Sequence, residues 1–228
     1  MKLENKGKTK FHIGPATIEG VQAALSLFKK LACLKPNPSL AAARMWLLTL
    51  LCKHKGCRAS DLLKLSWSQI KIGDGEISFT PKFFKNSRCT NRWLFSIRLM
   101  DGLDNLLDAL KVVKNLSIKV GGNDKIFGLW TTGNINYYYT KFQKEIGEKL
   151  SAHRIRVLTC LCLTSLGWRD SSIKSFMHWK ADDSLETYRA GFETAELRKE
   201  KDLFLAYSAG FEGKSIANRV RSWKGKFE

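Results

Sequence analysis

His153 and Arg156 stand three residues apart at the head of the stretch SAHRIRVLTCLCLTSLGWRDSSIKSFMHWKADDSLETYR, residues 151–189. That spacing is about one helical turn, so both side chains project from one face of a helix. An apolar helical run follows, then a turn containing Gly167, then a second helical run ending in His178-Trp179, with Tyr188 nine positions beyond Trp179. Far upstream, Arg58 lies in KGCRASDLLKLSWSQI (55–70) and Lys82 opens the basic run PKFFKNSRCTNRWLFSIR (81–98). If the fold brings them together, a phenol and guanidinium groups suit work on a phosphodiester. A side chain can open a phosphodiester by attacking phosphorus if its surroundings absorb the developing charge. Tyrosine is a poor nucleophile at its free pKa near 10. Lowering that by about three units takes roughly 4 kcal/mol, which two guanidinium groups around one phosphate can provide.

The charge balance fits a phosphate-bearing partner. In 228 residues, Lys+Arg 39 against Asp+Glu 21 leaves a formal charge of +18 and a pI near 9.8. So large a surplus implies a polyanion, nucleic acid before any other, because phosphate contacts release counterions. Ribosome association and plain solubilisation are the blander readings. Six cysteines (33, 52, 57, 89, 160 and 162) show no paired C-x-x-C spacing, so no zinc site is expected. Cys160 and Cys162 fall in an apolar run and read as reduced core thiols, which favours an intracellular compartment. No apolar run approaches the ~18 residues of a membrane span, and the polar start MKLENKGKTK is unlike a signal peptide.

The elements that must position these groups are mostly helices. Residues 1–15 form a basic, flexible arm with four lysines. Thr17 caps a helix with Ile18, Val21, Leu25 and Phe28 at helical spacing, and Ser39 caps a second that runs to about Cys52. Ser60 or Asp61 opens a short helix after Arg58. IKIGDGEISF (70–79) alternates around a GDG turn and reads as a hairpin, with a third strand near Trp93–Arg98. Between Ile77 and Met100 five basic residues and no acid interleave with Phe83, Phe84 and Trp93, a composition suited to a DNA groove. Asp101 begins a helix with Leu103, Leu106, Leu107, Leu110 and Val113 inward, VGGN (120–123) is a turn, and Asn134 caps a helix in which Tyr138 and Tyr139 are core residues. Ser151 caps the helix bearing His153 and Arg156. Asp170 caps the next through Met177, and Asp182 or Asp183 the one bearing Tyr188. A last helix is expected around Ala195–Tyr207.

Taken together, these motifs resemble the catalytic domain of the tyrosine recombinases, the phage-type integrases. Gly56, Arg58, Ser60, Asp61, Leu62, Leu65, Trp67 and Ile70 match the family's first-arginine box. His153-x-x-Arg156, the helical pair, Trp179 and Tyr188 match its C-terminal motif, and DKIFGLW (124–130) is similar to the short segment that precedes the last helical block. The resemblance implies an α+β fold, mainly helical with a small antiparallel β-sheet on one side. It also implies a set of roles. Tyr188 would attack the scissile phosphate to give a 3′-phosphotyrosyl bond, while Arg58 and Arg156 hold the nonbridging oxygens. Lys82 would protonate the leaving 5′-oxygen, with Lys85 as the alternative on the same hairpin. His153 would orient or deprotonate the attacking group. Trp179 would stand where the family has His or Trp; His178 is the alternative, ten residues before the tyrosine. Lys82, Lys85, Arg88, Arg92, Arg154, Arg169, Lys174 and Lys180 would contact DNA.

No metal or other cofactor is implied. The expected partners are double-stranded DNA and further copies of the chain, as dimer or tetramer on DNA, with no membrane. The resemblance covers about Ala16–Ala190, leaving 191–228 as a tail of a domain spanning 16–228. The N-terminal core-binding domain of typical members finds no counterpart, since only about fifteen residues precede Thr17. Three other readings stay open: a catalytically idle DNA-binding relative acting as a regulator, a plain helix-turn-helix binder built on LTSLGWRDSSIKSFM, and a type IB topoisomerase.

Overall fold

The computed structural model describes residues 14–73, 76–80, 95–98, 104–122, 124–177 and 185. Eight helices and three strands are formed by these residues. Residues 1–13 of the arm expected at 1–15, most of the basic hairpin, and everything beyond Met177 except Leu185 lie outside the described residues, as do the helices expected at Tyr188 and at 195–207. Gly14 and Pro15, expected in the arm, are held through their carbonyls by Arg154.

The architecture is built round α2 (Leu40–Lys55). Its LAAARMWLLTLLC core is apolar on every side, and residues 45–52 are all buried. A helix with no polar face must be enclosed, and α2 is, by α1 (Ile18–Ala32), α4 (Asp104–Lys119) and α7 (Ala152–Ser165). Each of its fully buried leucines contributes about 2 kcal/mol. Both start signals work as expected. The Thr17 hydroxyl accepts from Gly20 N at 3.0 Å, and the Ser39 hydroxyl from Ala42 N at 3.2 Å. Of the residues expected inward, Ile18, Val21 and Phe28 of α1 and Leu106, Leu110 and Val113 of α4 are buried, whereas Leu25 and Leu107 are half-buried. Ala24 and Ala109 are buried in addition, and Leu103 lies outside the described residues. After α4 an exposed turn closes on Gly121, at φ +67, with Gly122 N bonded to Ser117 O at 2.8 Å.

A three-stranded antiparallel sheet in the order β1 (Ile70–Gly73), β2 (Glu76–Phe79), β3 (Phe95–Arg98) flanks the helices. Ile77 and Phe79 alternate into the core, and Ile72 faces outward at 58 % exposure. The third strand expected near Trp93–Arg98 is described over Phe95–Arg98, and Trp93 lies outside the described residues. A strap at 124–130 ties this side together. Trp67 N donates to Asp124 O at 2.8 Å and Ile126 N to Leu65 O at 3.1 Å. Arg44 of α2 holds the strap from beneath, its Nε 3.0 Å from Ile126 O and its guanidinium 5.8 Å from the Trp130 ring centre.

Three helix starts differ from expectation. The short helix α3 is Ala59–Leu62 with Arg58 itself at the N-cap, because Asp61 is drawn inside the first turn, where it is buried. The helix α5 (Thr132–Lys141) is capped by Thr131, not Asn134. Asn134 sits three residues in, and its side-chain oxygen accepts from Thr131 N at 2.8 Å, the reciprocal half of a capping box. In α8 (Asp170–Met177), Asp170 is in the first turn, where a negative charge favours the helix dipole. Ser151 caps α7 as expected, accepting from Arg154 N at 3.2 Å. Between α5 and α7 lies α6 (Gln143–Ile146), closed by Gly147 at φ +87. Tyr139 is fully buried and shares a 2.9 Å hydrogen bond with Thr49, whereas Tyr138 is half-buried, stacked on Trp130. No described helix is long and apolar enough to cross a membrane.

Gly56 ends α2 in the left-handed conformation, φ +53, and a Cβ there would lie 2.6 Å from Met177 Sδ. Gly56→Ala is expected to cost about 2 kcal/mol from backbone strain alone, with more from displacing Met177. Denaturant unfolding checks this; an unchanged midpoint would refute it.

Candidate active site

The turn at Gly56 has a consequence for the next four residues. It throws Cys57, Arg58, Ala59 and Ser60 across the end of α7, where they form one wall of a recess of about 350 Å³. The first turn of α7 supplies Ser151, Ala152, His153 and Arg156, and α5 closes the far side with Thr132, Ile135 and Asn136. Arg58 and His153, 95 positions apart in the chain, and Arg156 thus line a single cavity.

Arg156 is the fixed member. It is 2 % exposed, and its guanidinium donates through Nη1 to Gly56 O and through Nη2 to Met177 O at 2.7 Å. Those bonds stitch α7 to the end of α2 on one side and the end of α8 on the other. Arg58 is exposed on the opposite lip. His153 sits at the rim, its pKa held below the ordinary 6.5, first by loss of hydration and then by the positive charges of Arg156 and Arg58. The imidazole is therefore neutral at neutral pH, able to accept a proton or a hydrogen bond. His54 is no rival, because burial and its neighbours Lys53 and Lys55 push it down to about 3. Cys57 lines the recess too, but burial outweighs the pull of Arg156 and Lys55 and pushes its thiol up to about 12. It stays protonated and is a weak nucleophile. Tyr139 is likewise unsuited to attack, its pKa raised by burial and by nearby Cys52.

Of the other residues singled out from the sequence, Arg169 is exposed and Lys174 half-buried, both at or on α8. Arg154 points away from the recess wall into a set of backbone carbonyls. Lys82, Lys85, Arg88, Arg92, His178, Trp179, Lys180 and Tyr188 lie outside the described residues. Thr132 and Asn136 were not foreseen. They lie a helical turn apart on α5, and no local signal marks them, since only the packing of α5 across α7 brings them here. Among the described residues no three or more His, Cys, Asp or Glu side chains gather as a metal site requires.

The sign of the His153 shift makes a prediction. A histidine whose folded pKa lies below its unfolded value contributes stability above about pH 6.5. That contribution is lost as pH falls through the folded value. NMR titration should place the His153 midpoint below 6.5, and Arg58→Ala should raise it by removing one of the two charges. A midpoint at or above 6.5 in the wild type would overturn the assigned electrostatics.

No family model and no curated protein matches the chain. Solved structures do. The chain is similar to the XerH site-specific recombinase, solved in a post-cleavage complex with its palindromic difH substrate, with TM-score 0.65, 14% identity, and coverage of 90% of this chain and 58% of that one. It is similar also to the XerA recombinase (TM-score 0.59, 13% identity, 86% and 65% covered). A third likeness is to the Tn1549 transposon integrase in complex with transposon right-end DNA (TM-score 0.56, 13% identity, 87% and 68% covered). The chain thus spans less than two thirds of the length of the first two. At these identities the likeness is one of fold, and it agrees with the mainly helical body and the small flanking sheet: the chain has the tyrosine-recombinase catalytic-domain fold.

Proposed function

We propose that this chain cuts and rejoins DNA strands through a covalent 3′-phosphotyrosyl intermediate, as a recombinase or integrase. The observation that carries the proposal is the convergence of Arg58, His153 and Arg156 on one recess. Two guanidinium groups lining one recess can grip the two nonbridging oxygens of a phosphodiester, a task for which the planar fork of arginine is suited. The neutral imidazole between them is placed to receive or orient the proton of the attacking hydroxyl.

Tyr188 is the proposed nucleophile. Leu185, three residues earlier, is buried in a cluster with Cys160 and Leu163 of α7 and Ile173 and Met177 of α8. Met177 is also the residue whose carbonyl holds Arg156. Three residues of chain reach at most about 11 Å, and the burial of Leu185 in that cluster supports Tyr188 as the group that serves the recess. Lys82 (or Lys85) would protonate the leaving 5′-oxygen, and Trp179 (or His178) would donate to the phosphate from beside the tyrosine. A second strand end attacking the phosphotyrosine then regains the phosphodiester with no nucleotide consumed. Lys82, Lys85, Arg88, Arg92, Arg169, Lys174 and Lys180 would track the backbone of double-stranded DNA on which two or four copies assemble.

Nicked suicide substrates drawn from the DNA flanking the gene test this directly. The wild type is expected to give a covalent protein–DNA band on a denaturing gel and Tyr188→Phe none. Arg58→Ala should slow adduct formation by about 100-fold or more, the scale of losing one oxyanion partner. An equal band from Tyr188→Phe would dismiss that nucleophile. Tight binding by the wild type without any adduct would favour the idle DNA-binding relative instead.

A further inference from the structure

We infer that Arg154 is a positioning residue, clamping the lead-in segment 14–17 onto the first turn of α7 so that His153 and Arg156 are held in register with Arg58. This deepens the site proposed above and rests on that reading for its catalytic consequence. The sequence marks Arg154 as one more cation for the DNA backbone, flanked as it is by the site residues. Its guanidinium is otherwise engaged. Nε is 3.2 Å from both Gly14 O and Pro15 O, Nη2 is 2.7 Å from Pro15 O, and Nη1 donates to Lys149 O. Nη2 also lies 3.2 Å from Glu148 Oε2. All three nitrogens therefore have acceptors within the protein, one of them anionic.

The clamp closes into a ring. Arg154 O accepts from Ala16 N at 3.1 Å. The other oxygen of Glu148, Oε1, accepts from Thr17 N at 2.9 Å and Thr17 Oγ1 at 2.6 Å. Thr17 in turn caps α1. One ion pair thus links the start of α1, the turn after α6 and the start of α7. Ala16 is buried within it. Because His153 and Arg156 flank Arg154 on the same short turn, movement of residues 14–17 is transmitted to the recess.

Two variants separate the clamp from a phosphate contact. Arg154→Ala removes the cation. Gly20→Ala keeps it but places a Cβ 1.8 Å from Glu148 Oε1, displacing the flexible end of the glutamate and opening the ring with no change of charge. Both are expected to keep the wild-type salt slope of DNA binding and to form the adduct about ten- to a hundred-fold more slowly at saturating DNA. Arg154→Ala with a salt slope shallower by about 0.9, beside Gly20→Ala at wild-type rate, would make Arg154 a phosphate ligand and overturn the inference. So would wild-type rates in both variants. The His153 ring resonances give a readout independent of strand cleavage: they should shift in both variants, and unshifted resonances would also overturn the clamp. A wild type that forms no adduct sinks the proposed function but leaves this NMR comparison to decide the clamp.

Discussion

Everything at this site depends on how a buried guanidinium is accommodated. Arg156 is almost wholly removed from water, and an unpaired cation so placed would cost several kcal/mol. The two carbonyls that receive it are not arbitrary. Gly56 O belongs to the C-cap of α2, and Met177 O to the last residue of α8. Carbonyls at helix C-termini lack intrahelical partners and carry the negative end of the dipole. One side chain thus satisfies two helix ends, and two helix ends stabilise one cation. The recess inherits a positive charge that cannot swing away, which a phosphate site needs and which a surface arginine would not provide.

The same arrangement bears on the charge of the histidine. With Arg58 and Arg156 both acting on it, a protonated His153 would be the third positive charge around one small cavity. The site keeps two permanent cations and one titratable base by making the third protonation unfavourable. Cys57, on the same wall, is silenced by the opposite route. Burial disfavours its thiolate more than Arg156 and Lys55 favour it, so the recess offers one basic group and no competing sulfur nucleophile.

Much of this was legible in the sequence because the determinants are local. Thr17, Ser39 and Ser151 cap where a cap was expected, since a hydroxyl ahead of an apolar helical run has little else to do. The i, i+3 spacing of His153 and Arg156 placed them on one face, and GDG between alternating residues placed the hairpin. Legibility failed where a side chain answers to tertiary context. Asp61 was read as a possible cap and is buried inside its helix. Asn134 was read as a cap and is the reciprocal partner of Thr131. Tyr138 was read as core and is half-buried at its edge, packed against the core and stacked on Trp130. Arg154 shows the limit most clearly, because its carbonyl partners come from the lead-in segment, 139 and 140 residues away, and from the preceding turn. No pattern in the chain near residue 154 announces them.

The strap at 124–130 carries an evolutionary implication. Arg44 grips it from α2 and Asp124 ties it to the segment after Arg58, so α5, with its share of the cavity wall, is located from the strap onward. The turn at 120–122 stands upstream of that grip, with Val120 at 67 % exposure and open space around Gly121. Extra chain inserted there would be decoupled from the wall, and lengthening a loop adds only about 0.6 kcal/mol per doubling. That turn is where lineages of this fold can acquire appendages, or an engineer a tag, while the cavity keeps its shape.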